Sequence, residues 1–387
     1  MRFRPAAAPP DIVKLETVAS LTEVSPDEWN ALAGGDPFAG HEFLSALERT
    51  ACVGTPAGWT PTHLLLTDRG RLAAAMPLYL KSHSYGEYVF DWAWADAYHR
   101  HGLDYYPKLV CAVPFTPVTG SRLLAHSDAH RDALAAGLLR LARELRVSSA
   151  HVLFPARADH EALRRAGLLE RHGVQFHWRN AGYATFDDFL AAMNHGKRKN
   201  IRQERRKVRE AGITFDWLEG GEITDRDWSF FAQCYRNTYR AHGSRPYLSL
   251  QFFRQLGASL PQAVVLIVAK RNDTRIAASL NVRAGGRLYG RYWGCVDYEP
   301  GLHFETCYYQ VIEYCIARGI AVFEGGAQGE HKMARGLLPV ETRSAHWLAH
   351  PQFAKAIDAF LRREGSSMAH HMDELREHTP FRRDSHA

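Results

Sequence analysis

No run of about 18 apolar residues occurs in the 387 residues, so nothing in the sequence reads as a membrane-spanning helix. The opening, MRFRPAAAPPDIVK, lacks the apolar stretch of a secretory signal, and a cytoplasmic location is the default expectation. Cysteine is sparse. Cys52, Cys111, Cys234, Cys295, Cys307 and Cys315 are scattered without a CxxC pair, which argues against a disulfide framework or a zinc knuckle and suits packing roles for reduced thiols. Neither GxGxxG nor GxxxxGKS/T is present, so dinucleotide binding and P-loop chemistry have no support.

What is present is a globular composition, with 46% hydrophobic, 11% aromatic and 23% charged residues. The length suits two domains of roughly 150–200 residues each. Lys and Arg number 48 against 42 Asp and Glu, a net charge of +6. Eight basic residues and one Glu give residues 197–209, KRKNIRQERRKVR, a local +7, and the rest of the chain is then left at −1. The basicity of this protein is one segment.

Two stretches follow the same order of elements. In the first, helices at 25–34 and 41–50 precede strands at 63–68, 71–81 and 87–94, then a helix at 129–146 and a strand at 150–155. In the second, helices at 224–242 and 248–257 precede strands at 263–270, 275–284 and 287–294, then a helix at 303–319 and a strand at 321–326. This duplication predicts an α/β (α+β) fold of two tandem domains, each a mixed, largely antiparallel sheet flanked by helices. The boundary is expected near Asn180-Ala181-Gly182, giving domains at 11–180 and 181–364, followed by a polar, His-rich tail at 365–387 that is expected to fray.

Six motifs carry a family resemblance: HSYGEYVFDWAWADAYHRHGLDYYPKL (83–109), PFTPVTGSRLL (114–124), KRKNIRQERRKV (197–208), GRYWG (290–294), LHFETCYYQVIEYCI (302–316) and GAQGEHKMARGLLPVETRSAHW (326–347). In this order, and over about residues 25–365, the chain resembles the FemAB-like family of bacterial N-acyltransferases. The resemblance implies tandem acetyltransferase-like (GNAT-like) domains, similar to Fem-type enzymes that move an amino acid from aminoacyl-tRNA onto a peptidoglycan precursor. It implies no resident cofactor and no metal.

In Fem-type enzymes a strand ending in an acidic residue and glycines, followed by an aromatic-Lys pair, lies at the acyl-transfer centre. The matching positions here are Glu324, Gly325, Gly326 and Lys332, with His331 in place of the aromatic. Chemically, Lys332 and Arg335 are suited to stabilise the oxyanion formed when an amine attacks an ester or thioester, and His331 or Glu330 to take the amine's proton. A plain surface loop is the alternative.

A second constellation, His83, Glu87, Asp91, Tyr105, Tyr106 and Lys108, has the aromatic and ionisable density of a substrate pocket or of a packed core. Arg291, His303, Glu305, Tyr309 and Gln328 complete the substrate-binding candidates. At helical spacing Arg198, Arg202, Arg205 and Arg209 form one stripe of guanidinium forks suited to phosphate oxygens. Their partner is open: a phosphate-bearing donor or acceptor, an anionic membrane surface touched peripherally, or none if the helix is merely solvated. Nothing points to DNA.

The donor is open too. The glycine loop with which GNAT enzymes cradle the pyrophosphate of coenzyme A is replaced by WGCVDYEPGLHFET (293–306), whose Asp297 and Glu299 repel pyrophosphate. Acyl-CoA and aminoacyl-tRNA therefore both stand as donors to an amine-bearing acceptor. The competing class is a non-catalytic module of the same fold that binds RNA or an anionic membrane.

Overall fold

A computed structural model describes residues 13–327 and 329–382. The first half runs β1 (Lys14–Val18), α1 (Pro26–Ala33), α2 (His41–Arg49), β2 (Trp59–Pro61), β3 (His63–Asp68), β4 (Arg71–Met76), β5 (Leu78–Lys81), α3 (Trp92–Arg100), β6 (Lys108–Cys111), β7 (Leu124–Ala125), α4 (Asp128–Glu144), β8 (Ser149–Leu153), α5 (Arg157–Arg165) and β9 (Leu169–Arg179). The second half runs α6 (Phe186–Ala192), α7 (His195–Glu210), β10 (Ile213–Glu219), α8 (Asp225–Ala241), α9 (Leu250–Ser259), β11 (Val264–Arg271), β12 (Thr274–Ala284), β13 (Arg287–Cys295), α10 (Leu302–Phe304), a π-turn at Glu305–Tyr309, α11 (Gln310–Ala317), β14 (Val322–Ala327), β15 (Leu338–Leu348) and α12 (Pro351–Glu377).

Local signals set these boundaries. Thr224 and Asp227 form a reciprocal capping box that opens α8, and the Asn194 side chain caps α7 by accepting from Lys197 N at 3.0 Å. Asn272 and Asp273 both take positive φ, the backbone of a tight hairpin turn, between β11 and β12.

An antiparallel four-stranded sheet has the order β1-β3-β4-β7. An eleven-stranded sheet, β10-β11-β12-β13-β14-β9-β15-β8-β6-β5-β2, runs through both halves. Each half contributes one parallel pair, β6 with β8 and β13 with β14, and in each a helix crosses between the paired strands. This repeat is the tandem architecture predicted from the order of elements. The closing strands are exchanged: β9 leaves the first half to pair with β14, and β15 leaves the second to pair with β8. β9 and β15 also pair with each other from Leu169–His346 to His177–Leu338. The sheet therefore crosses the expected division at residue 180, and the spans 11–180 and 181–364 are not separate bodies. One core is shared as well, with Phe43 packed edge-on against Phe252 and Phe38 against Tyr289.

Three further expectations are corrected. Residues 87–94 form no strand; Glu87 and Asp91 are drawn onto a buried lysine, and the chain then turns into α3. The segment 71–81 is divided between sheets at Pro77, with β4 pairing β3 and β5 pairing β6, because proline has no N–H to continue a ladder. The segment from 365 does not fray within its described part: α12 continues to Glu377, burying Ile357, Leu361, Met372 and Leu375, and Phe381 bridges back to Met193. Its histidines and charges hid an amphipathic spacing. Residues 383–387 lie outside the described residues.

Candidate active site

β13 and β14 pair only from Arg287–Tyr289 to Val322–Glu324. Beyond that, β13 stays with β12 to Cys295 while β14 stays with β9, so the parallel pair splays apart at Gly290 and Gly325. A cavity of about 120 Å³ occupies the splay, bordered by Asn281, Arg291, Trp293, His303, Cys307 and Tyr308, among others. A side chain on Gly325 would lie 2.5 Å from Leu337, which explains a glycine near the end of the strand. The pairing of β12 with β13 shifts at Leu280/Asn281, leaving Arg291 out of register and directed to the Phe115 carbonyl of the first half at 2.8 Å.

The helical wall is shaped by the π-turn. A wider turn moves the following residues around the axis, so His303 and Tyr308, five apart, face the same cavity with Cys307. Trp293 packs on His303 at 4.8 Å. Burial, reinforced by His331, Arg335 and Lys332, lowers His303 to about 4, so it is neutral at pH 7. Burial also pushes the Cys307 thiol up, which leaves it a packing residue.

Beside the cavity lies a 3-10 turn, Glu330–Arg335. Lys332 is buried and donates from Nζ to the Gly326 carbonyl at 2.9 Å. Burial lowers its ammonium to about 8. His331 Nε2 is 3.3 Å from the Tyr308 hydroxyl, and its pKa is lowered by burial and by Arg335 and Lys332. Arg335 lies 3.4 Å from the centre of the Phe304 ring and donates to the His331 carbonyl at 2.8 Å. An ammonium, a guanidinium and two neutral imidazoles thus gather around one opening, a set able to receive developing negative charge and to accept a proton.

Of the predicted second-half residues, Lys332, His331, Arg335, His303 and Arg291 come together here. Tyr309 does not face the cavity; its hydroxyl bonds Glu204 of α7. Glu305 is buried against Arg205 and Gln310 and serves packing. Glu330 lies 3.5 Å from His371 of α12 and does not border the cavity. Gln328 lies outside the described residues. The sequence reading missed Trp293 and Asn281 as cavity residues and placed Tyr308 and Tyr309 together at the cleft, of which only Tyr308 borders the cavity. Tyr308 was readable only as one of a tyrosine pair, and choosing between them needs the π-turn, which no local propensity announces.

The arginine stripe is divided. Arg205 is not available to phosphate: it is bound by Glu305 at 3.0 Å and Glu313 at 2.5 Å and lies over Phe186. Arg198 and Arg202 border an open groove of about 620 Å³ with Lys199 and Arg206, although Arg202 also meets Asp187 at 3.0 Å. Arg209 is exposed near the end of the helix. The acidic pair near the coenzyme A position is neutralised, since Arg271 holds both Asp297 and Glu299 at 2.6 Å.

The first-half group assembles around a buried lysine. Lys108, 0% exposed, donates to Ser84 at 2.7 Å, to Glu87 at 2.8 Å and to Asp91. Tyr105 donates to Asp91 at 2.6 Å, Tyr106 meets Ser84 at 2.8 Å, and His83 meets Lys81 Nζ at 3.3 Å. Burial raises Glu87 to about 7 and lowers Lys81 to about 7; it also works against Lys108, but Glu87 and Asp91 outweigh it and hold that ammonium up. This buried ion cluster pins loop 82–91 and leaves Glu87 Oε1 and Asp91 Oδ1 without hydrogen-bond partners, an arrangement that fits the packed-core reading of these residues.

The FemAB-like family, described by peptidoglycan biosynthesis/recognition, matches residues 20–383. The chain belongs to the FemAB-like family. By that membership it is an acyl- or aminoacyl-transferase. Among solved structures it is similar to FemX, at 12% identity and a TM-score of 0.52 over 87% of this chain and 98% of that one. It is also similar to the L-PGS of Bacillus licheniformis, at 11% identity and 0.53 over 87% and 97%. The C-terminal domain of a putative lysylphosphatidylglycerol synthetase from Agrobacterium fabrum matches at 11% and 0.52 over 88% and 97%. At these identities the likeness is one of fold. No curated protein matches the sequence. Among the described residues, no helix of this FemAB-like chain is long and apolar enough to cross a membrane, and no three His, Cys, Asp or Glu side chains converge on a metal position.

Proposed function

We propose that this FemAB-like protein forms an amide by transferring an acyl or aminoacyl group to an amine acceptor in cell-envelope metabolism, with the donor carbonyl in the splay between β13 and β14. The observation that carries this reading is the buried Lys332 beside the neutral His303 and the His331–Tyr308 pair at that opening. The amine attacks the carbonyl, and the resulting oxyanion is stabilised by Lys332 and Arg335. His331, in contact with Tyr308, takes the proton released by the amine, and the tRNA hydroxyl or coenzyme A thiolate leaves. The groove of Arg198, Lys199, Arg202 and Arg206 receives phosphates of donor or acceptor.

Mass spectrometry of amine acceptors incubated with aminoacyl-tRNA or with acyl-CoA tests this. A covalent amide product from one donor class supports the proposal and identifies the donor. Retention of tRNA or of anionic vesicles with no product from either donor rejects it in favour of a binding module.

A further inference from the structure

Glu204 is the only acid in the basic run 197–209, and it does not point into solvent with its neighbours. Ile201 and Val208 fix the inner face of α7 by burying at 1% and 2% exposure. From that side the Glu204 carboxylate accepts from the Tyr309 hydroxyl and, at 3.2 Å from both oxygens, from Arg335 Nη2. Tyr309 ends the π-turn that forms one wall of the cavity, and Arg335 ends the 3-10 turn that carries His331 and Lys332. One carboxylate therefore ties both flanks of the opening to a third element.

The other contacts of Arg335 do not replace this tie. Its ring contact with Phe304 and its bond to the His331 carbonyl stay within the same corner, and its buried Nε has no hydrogen-bond partner. Without Glu204 a largely buried guanidinium would lose its counter-ion and turn toward water. The turn it ends would follow. Arg205 fixes α7 to the helix independently through Glu305 and Glu313, so α7 keeps its place when Glu204 changes.

We propose that Glu204 is a positioning residue for acyl transfer, holding Arg335 and Tyr309 so that the Lys332 turn stays closed against the π-turn. This rests on the acyl-transfer reading above, but it has a readout of its own. In the full-length protein, Glu204→Gln should remove the slowly rotating Arg335 guanidinium signals in nitrogen-detected NMR. It should also raise the titration midpoint of Lys332 Nζ by a unit or more from about 8, as the turn opens to water. With the donor identified, kcat should fall at least tenfold while the donor KM moves less than twofold. Adding Arg335→Lys should lower kcat no further than the worse single variant, because the two residues act as one unit.

Tyr309→Phe removes only a hydroxyl and serves if Glu204→Gln folds poorly; it should produce the same changes at smaller size. Unaltered Arg335 signals and an unmoved Lys332 midpoint in both variants overturn the proposal, as does a kcat within twofold of wild type. If no donor yields product, the acyl-transfer reading fails on that account, and the NMR result still decides whether Glu204 holds the turn.

Discussion

Burial penalises the charged form of a lysine, and Lys332 bears that cost just beyond the end of β14. Its removal should therefore cost the fold little. Lys332→Met keeps the bulk of the side chain and puts an apolar group where burial already disfavours charge, so the melting temperature should hold or rise slightly. Acyl transfer should fall by about 10²-fold or more, the usual size for losing one oxyanion donor. Steady-state turnover and a thermal melt on the same samples check this, and equal losses in both would show a structural lysine. The same side chain gives a pH signature. Lys332 stabilises charge only while protonated, so turnover should decline above about pH 8; His331 accepts a proton only while neutral, so turnover should also decline on the acid side, below 6.5.

At the scale of elements, α7 has two faces with separable consequences. On the inner face, Arg205→Ala strands the buried Glu305 carboxylate with only Gln310 as a donor and should cost about 3–5 kcal/mol by chemical denaturation. On the outer face, Arg202→Ala with Arg206→Ala should change stability by less than about 1 kcal/mol while weakening tRNA or polyphosphate binding and flattening its salt dependence. Binding isotherms at several salt concentrations separate the two. The basic run was plain in the sequence because charge density needs no neighbour to be seen. Which arginines stay free was not, since the carboxylates that claim Arg205 lie about 100 residues away. The apolar strands and capped helices were legible for the same local reason, whereas β9 and β15 were not. Gln175, His177, Thr342, Ser344 and His346 are buried in them, and polar residues make a core strand only when the opposite strand supplies partners. The cluster around Lys108 was legible as a group, but density alone cannot tell a pocket from a sealed ion network.

For the whole molecule, the exchange of β9 and β15 makes the halves interdependent. Expressed separately, fragments cut near residue 180 should each expose an unpaired strand and fail to fold, while coexpression should restore one assembled particle, read by size-exclusion chromatography. The junction also sets a pH limit. His151 of β8 meets His346 of β15 at 2.7 Å, one ring donating and the other accepting, so the two cannot both be protonated. Burial lowers His151 to about 3 and His346 well below its usual value, and it lowers His177 and His303 to about 4. In the unfolded chain these four bind protons near 6.5, so the unfolded state binds more protons and stability drops as pH falls below that value. Each contributes at most about 1.4 kcal/mol per pH unit. Glu87 works the other way: its folded value of about 7 exceeds the unfolded 4.5, so it offsets roughly one of the four between those limits. Denaturation midpoints should therefore decline steeply from pH 6.5 toward 4.5. His346→Gln, which retains a hydrogen-bonding amide without a titrating ring, should make the decline shallower by about one proton. A midpoint constant across that range would show that the strand junction carries no such proton linkage.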